Sequence, residues 1–178
     1  MKKLFLLISL LSAAWSATYD PFLLETQLSL LPKIVLLEKN AVSANKKSPF
    51  KILIAYDGGD TETAQLCMKI LNKKYNGTIN GKPLQITVLP VEKVSAMSQY
   101  HLVYALKMSS TQLEKLRIAT DSAGTVTALY DAPKLLSEGY LLSILLERNP
   151  VILVNAKALK KSSVTFPDHL LEMARIIE

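Results

Sequence analysis

Four short apolar runs with strand character, spaced by stretches of helical periodicity, constrain this chain more than any other feature. Lys51–Tyr56, Gln85–Val91 and His101–Leu106 each have the length of a buried strand, and Gly124–Pro133 reads as a fourth strand running into a loop. After the first run, Ala64, Cys67, Met68, Leu71 and Tyr75 recur on one helical face. After the third, Thr111 and Glu114 have capping-box spacing, and Leu113, Leu116 and Thr120 point one way. "NGTINGKPL" holds two Asn-Gly pairs and demands a tight turn. Gly139–Asn155 is two apolar runs around Glu147-Arg148-Asn149-Pro150, the pattern of an antiparallel hairpin. Pro167 opens a last helix with Leu170, Met173, Ala174 and Ile177 on its inner face. Strands that alternate with helices run parallel, because each crossover returns the chain to the same end of the sheet. The expected fold is therefore α/β: a single domain with a mixed, mostly parallel sheet, an antiparallel hairpin and helices on both faces.

The beginning of the chain has a different logic. "MKKLFLLISLLSAAWSA" places two lysines before a short apolar run and then small residues, the layout of a secretory signal peptide. Ala14 and Ser16 stand at the −3 and −1 positions for cleavage after Ser16. The apolar run is too short to span a bilayer comfortably. Residues 17–48 then read as an N-terminal helical segment and linker. The helix covers 21 to about 43, with Pro32 expected to kink or divide it, and "SANKKSP" is a polar connection. Residues 49–178 form the α/β domain.

Export excludes some functions and leaves others open. The Lys46-Lys47, Lys73-Lys74 and Lys160-Lys161 pairs are not interleaved with aromatic residues, so they read as solvated faces and not as a nucleic-acid surface. Cys67 is the only cysteine, so no intramolecular disulfide can form. Its apolar helix face points to an inert thiol.

The stretch most like machinery is Asp57-Gly58-Gly59-Asp60, a turn between a strand and a helix. It lacks the glycine spacing of a dinucleotide fingerprint and the Gly-Lys-Ser/Thr ending of a P-loop. A metal would need further oxygen ligands, and Asp131 could supply one if the two strands were neighbours. The plainest reading is structural: the glycines supply positive φ, and Asp60 caps the helix by accepting from the N–H of Glu62 or Thr63. Asp57, Gly58, Gly59, Asp60 and Asp131 remain a candidate ligand or partner rim, because ligands of open α/β sheets sit at the carboxyl ends of strands. Glu147 and Arg148, on an exposed hairpin tip, are a second candidate contact. Glu172 and Arg175 read as a surface pair. His101 and His169 are the only histidines, and no nucleophile elbow, triad or zinc spacing is present. The expectation is no enzyme, no cofactor and no metal.

From the first strand onward, roughly residues 50 to 177, the chain resembles the YfiR-like family of small exported proteins. The residues that carry the likeness are "GTINGKPLQITVL", "HLVYAL", "GTVTALYDAPKLLSEGYLLSILLERNPVILVNAKAL" and "LLEMARII". Tyr130-Asp131, Gly139, Asn155 and Leu170-Leu171-Ala174 stand where that family has its strand-ending Asp, its loop glycine, its hairpin asparagine and its final helix. Two departures are visible. The family's cysteine pairs are absent, and "LSLLPKIVLLEKN" keeps a proline without the aromatic residues usual near it. The resemblance implies a periplasmic, homodimeric signalling regulator that represses a membrane-bound diguanylate cyclase, lowering cyclic di-GMP and biofilm formation. The partner would be an inner-membrane sensor such as a diguanylate cyclase or histidine kinase. The alternative is a periplasmic small-ligand binding module using the Asp57–Asp60 and Tyr130-Asp131 rim.

Overall fold

Phe50–Tyr56 forms the strand around which everything else is arranged, and its alternating side chains feed two separate cores. The structure, a computed structural model, describes residues 18–39, 48–95, 100–121 and 124–178. The expected signal peptide, the end of the first expected helix and most of the linker lie outside the described residues.

In chain order the elements are α1 (Pro21–Val35), β1 (Phe50–Tyr56), α2 (Thr61–Tyr75), β2 (Thr78–Ile79), β3 (Lys82–Pro90), β4 (Leu102–Ala105), α3 (Ser110–Ala119), β5 (Val126–Leu129), β6 (Leu142–Leu146), β7 (Pro150–Asn155), α4 (Ala156–Lys161), α5 (Asp168–Met173) and β8 (Arg175–Ile177). The sheet has the order β2-β3-β1-β4-β5-β6-β7-β8. Strands β3, β1, β4, β5 and β6 are mutually parallel, β7 and β2 are antiparallel to their neighbours β6 and β3, and β8 runs parallel to β7. The expected α/β fold, with its mostly parallel sheet and antiparallel hairpin, is the fold observed.

The two-residue period of β1 explains the layering. Phe50, Ile52 and Ile54 face one way, into a core shared with Leu24, Leu28 and Leu31 of α1 and Ala64, Cys67 and Leu71 of α2. Leu53 and Ala55 face the other way, toward Leu113 and Leu116 of α3. All of these are almost wholly buried. Two turns follow their sequence closely. Asn76, Gly77, Asn80 and Gly81 all take positive φ, and Asn80-Gly81 closes the β2–β3 hairpin at the Ile79–Lys82 pair.

Some elements differ from expectation. α1 runs through Pro32 without dividing and ends one turn later at Val35. The capping box of α3 lies one frame earlier than Thr111–Glu114. Ser109 accepts from the Gln112 N–H, and the Ser109 N–H donates to the Gln112 side chain. That frame gives Leu113 and Leu116 a full turn of helix in front of them as they enter the core. The last helix is short. It stops at Met173, Ala174 is extended, and Arg175–Ile177 pairs with Leu153–Asn155 of β7. Only Leu170 of the expected inner face is fully buried, while Met173 is 67% exposed. The unpaired backbone edge of β7 accounts for this, because it offers two β-branched isoleucines a ladder that a helix would forgo. α4 was not expected. It is set by Asn155, whose side chain accepts from the Ala158 N–H and donates to the Leu135 carbonyl.

Candidate functional site

The carboxyl ends of β1, β4 and β5 are where an open parallel sheet usually receives a ligand. Here the chain's own N-terminal segment fills the place. Tyr19 donates its phenol hydrogen to Asp60 Oδ2 at 2.5 Å, and its oxygen accepts the Lys107 N–H at 2.9 Å. Its ring meets the Tyr130 ring edge-on at 4.9 Å. The Lys107 ammonium lies 5.5 Å from both ring centres and donates to the Thr18 carbonyl. Tyr130 Oη accepts the Asp20 N–H at 2.8 Å. Asp20 then caps α1 by accepting from the Leu23 N–H, with Pro21 as the first helical residue. Thr18-Tyr19-Asp20 is thus a stopper across the ends of three strands.

A buried polar network lies behind the stopper. Gln27, on α1, is completely buried. Its amide donates to the carbonyls of Tyr130 and Ile144, and its oxygen accepts from the Tyr104 hydroxyl at 2.5 Å. Every buried side-chain polar atom among the described residues has a partner, so this network is closed. Burial, and the hydrogen bond to Asp60, push the Tyr19 phenol far above its usual value. Burial alone does most of the same to Tyr104 and Tyr130. These are neutral hydrogen-bonding groups at any physiological pH, and none is poised to exchange a proton.

The residues read from the sequence fall into three places. Asp57 Oδ1 accepts the Gly58 N–H at 2.7 Å and its carbonyl accepts the Asp60 N–H, closing a 3-10 turn. Asp60 makes no capping bond to α2, contrary to expectation. A buried carboxylate that can take a phenol O–H gains more from that than from a partly solvated backbone N–H. Gly58 and Gly59 do not have positive φ, so the turn does not require glycine there. Asp131 is not beside this turn. β4 stands between β1 and β5, and Asp131 sits 3.9 Å from the Lys134 ammonium. Glu147 forms a two-point ion pair with Arg175 at 2.7 and 3.2 Å, which holds its carboxyl below the ordinary range. Arg175 therefore pairs with Glu147 and not with Glu172. Arg148 is exposed and in no ion pair among the described residues.

Burial pushes the Cys67 thiol up to about 12, which leaves it un-ionised and unreactive. Among the described residues no group of three or more His, Cys, Asp or Glu side chains lies close enough together to hold a metal. Sequence reasoning missed Tyr19, Gln27 and Lys107. The one local signal was Asp20-Pro21, an N-cap followed by a first-turn proline, which fixes where Tyr19 enters.

A family model described as YfiR/HmsC-like matches residues 40–175, most of the chain. The chain belongs to the YfiR/HmsC-like family. That family is one of periplasmic regulators of diguanylate cyclases. Solved structures add the fold. A conserved domain protein from Vibrio cholerae is similar with a TM-score of 0.58 at 14% identity, over 87% of this chain and 60% of that one. An ABC domain in complex with L-Trp from Streptococcus pneumonia is similar with a TM-score of 0.55 at 9% identity, over 88% and 62%. The chain thus spans about three fifths of each of these neighbours. No curated protein has a significantly similar sequence. The YfiR/HmsC-like match begins beyond α1, so the stopper and Gln27 lie outside the matched residues.

Proposed function

We propose that this protein is an exported, non-enzymatic signalling regulator that binds the periplasmic part of an inner-membrane sensor, such as a diguanylate cyclase or a histidine kinase. The observation that carries the reading is membership of the YfiR/HmsC-like family over residues 40–175. The stoppered strand ends support it. The position where an α/β enzyme or receptor would hold its substrate is occupied by Tyr19. In this reading residues 1–16 are an export signal cut after Ser16, residues 17–48 are the N-terminal segment and linker, and residues 49–178 are the α/β domain. The mature protein resides in the periplasm as a homodimer. No helix among the described residues is long and apolar enough to cross a membrane.

A surface suited to such a partner lies between α1 and α2. Leu66 is 45% exposed there, in a groove with Glu25, Ile70, Lys69, Lys73 and Lys74, and Phe22, one turn before Glu25, is 65% exposed. Apolar side chains ringed by lysines match an acidic partner segment with an apolar anchor. A regulator changes output only through different affinities for two partner conformations. Deleting the gene should therefore raise cyclic di-GMP where a cyclase is the receiver. Unchanged cyclic di-GMP and unchanged phosphorylation of neighbouring sensor kinases would contradict the reading.

A further inference from the structure

A second cavity, of about 360 Å³, opens at the opposite end of the sheet. It lies at the amino ends of β5 and β6, between the last turns of α3 and α4. Its size is within the range of small-molecule sites. One wall is apolar: Leu141, Ala158 and Val164. The other carries two cations, Arg117 from the last turn of α3 and Lys161 from the last turn of α4. Neither is in an ion pair among the described residues. Asp121, also on the lining, is exposed and forms no ion pair with either among the described residues.

The polar groups around the cations are arranged in a consistent way. Helix ends ordinarily present bare carbonyls that would repel an anion. Here one carbonyl at each helix end is doubly bonded within its own helix. The Leu116 carbonyl takes both the Thr120 N–H and the Thr120 hydroxyl. The Leu159 carbonyl takes the Ser162 N–H and the Ser162 hydroxyl. Among the described residues, two other hydroxyls are used only as acceptors. Ser163 Oγ accepts the Gly124 N–H at 2.9 Å, and Thr127 Oγ1 accepts the Leu141 N–H at 3.2 Å. Each keeps its own hydrogen for a further acceptor. The Arg117 side chain is laid across Gly139, where a Cβ would come within 3.7 Å of its Cδ. Both Arg117 and Gly139 line the cavity.

We infer that this cavity binds a small organic carboxylate, its charged group between Arg117 and Lys161 and its apolar part against Leu141, Ala158 and Val164. The two oxygens of one carboxylate can each take a charge-assisted hydrogen bond, one from each cation. α3 and α4 present their C-terminal turns here, and not the N-terminal N–H groups that phosphate sites use. The site goes beyond the regulator reading and does not depend on it, because binding can be measured in the isolated protein.

The test is a titration of the folded, 15N-labelled protein at low salt with hexanoate, with 1-hexanol as its neutral twin and with inorganic phosphate. Saturable shifts of the Gly124, Gly139 and Ser163 amides are expected with hexanoate and not with hexanol. Lys161→Gln and Arg117→Gln should each weaken binding at least tenfold. Lys161 is exposed on the final turn of α4, so its variant keeps the fold even if Arg117→Gln does not. Three outcomes would overturn the inference: no saturable shift with hexanoate, equal binding of hexanol, or unchanged affinity in Lys161→Gln. Tighter binding of phosphate than of hexanoate would overturn the assignment to carboxylates.

Discussion

Tyr19 is the residue on which the closed end of the sheet depends. Replacing it by Phe keeps the ring against Tyr130 but removes the donor to Asp60 and the acceptor for the Lys107 N–H. Loss of about 1–3 kcal/mol is expected, read as a lower urea midpoint, because buried polar groups lose their partner. Gly58 and Gly59 should behave in the opposite way. Neither has positive φ, and a Cβ added at either would meet nothing within 4 Å. Gly58→Ala and Gly59→Ala should therefore change stability by less than about 0.5 kcal/mol. Gly139 has φ of 69°, so Gly139→Ala should cost about 1–2 kcal/mol. The pH profile follows from buried titratable groups. His101 is lowered by burial and by Lys82 and Lys51, and its Nδ1 accepts the Lys51 N–H. The unfolded chain then binds more protons than the folded one, so stability falls as pH drops below the ordinary histidine value of about 6.5. Tyr75 is pushed up to about 12, and Tyr19, Tyr104 and Tyr140 are raised by burial too. The unfolded chain loses these protons first, so stability is complete below about pH 10 and falls as pH rises past it. Thermal unfolding between pH 5 and pH 11 should trace a plateau with two falling sides. At this scale the turn at Asp57 was legible as a turn, because its acids and glycines are contiguous. Tyr19 was not, since its partner Asp60 is 41 residues away.

Elements were legible where one local period decided them. β1, α2, β4 and the β6–β7 hairpin stand close to where apolar spacing put them. Local sequence failed where a neighbour in space decided the outcome. Thr111-Glu114 has capping-box spacing in the sequence, but so does Ser109-Gln112, and contact of Leu113 and Leu116 with the core selected the latter. Ser109→Ala should therefore cost about 1 kcal/mol, while Thr111→Ala should be nearly silent in the same urea titration. The end of the chain shows the same effect more strongly. Arg175–Ile177 has helix-compatible spacing with Leu170, but β7 presents an open edge beside it. The edge wins because three paired residues satisfy backbone groups of both strands.

The whole molecule has two ends with different characters. At the carboxyl ends of the strands a stopper from α1's leading segment closes the sheet. At the amino ends of β5 and β6 a cavity lined by Arg117 and Lys161 stays open. The fold class was legible because alternating strands and helices admit few topologies. Which end is open was not legible, because it depends on a segment outside the sheet and on the side-chain ends of two short helices. The α1–α2 groove is likewise a product of packing: it joins Glu25 to Leu66 and the lysines of α2. The regulator reading is tested most directly at that groove, by co-purification of the tagged protein with solubilised inner membranes. Wild-type protein is expected to retain a membrane sensor carrying a diguanylate cyclase or kinase output domain, and Leu66→Asp, which sits on an exposed helix face, is expected to lose it while remaining folded. Recovery of no membrane signalling protein by the wild-type chain would contradict the account.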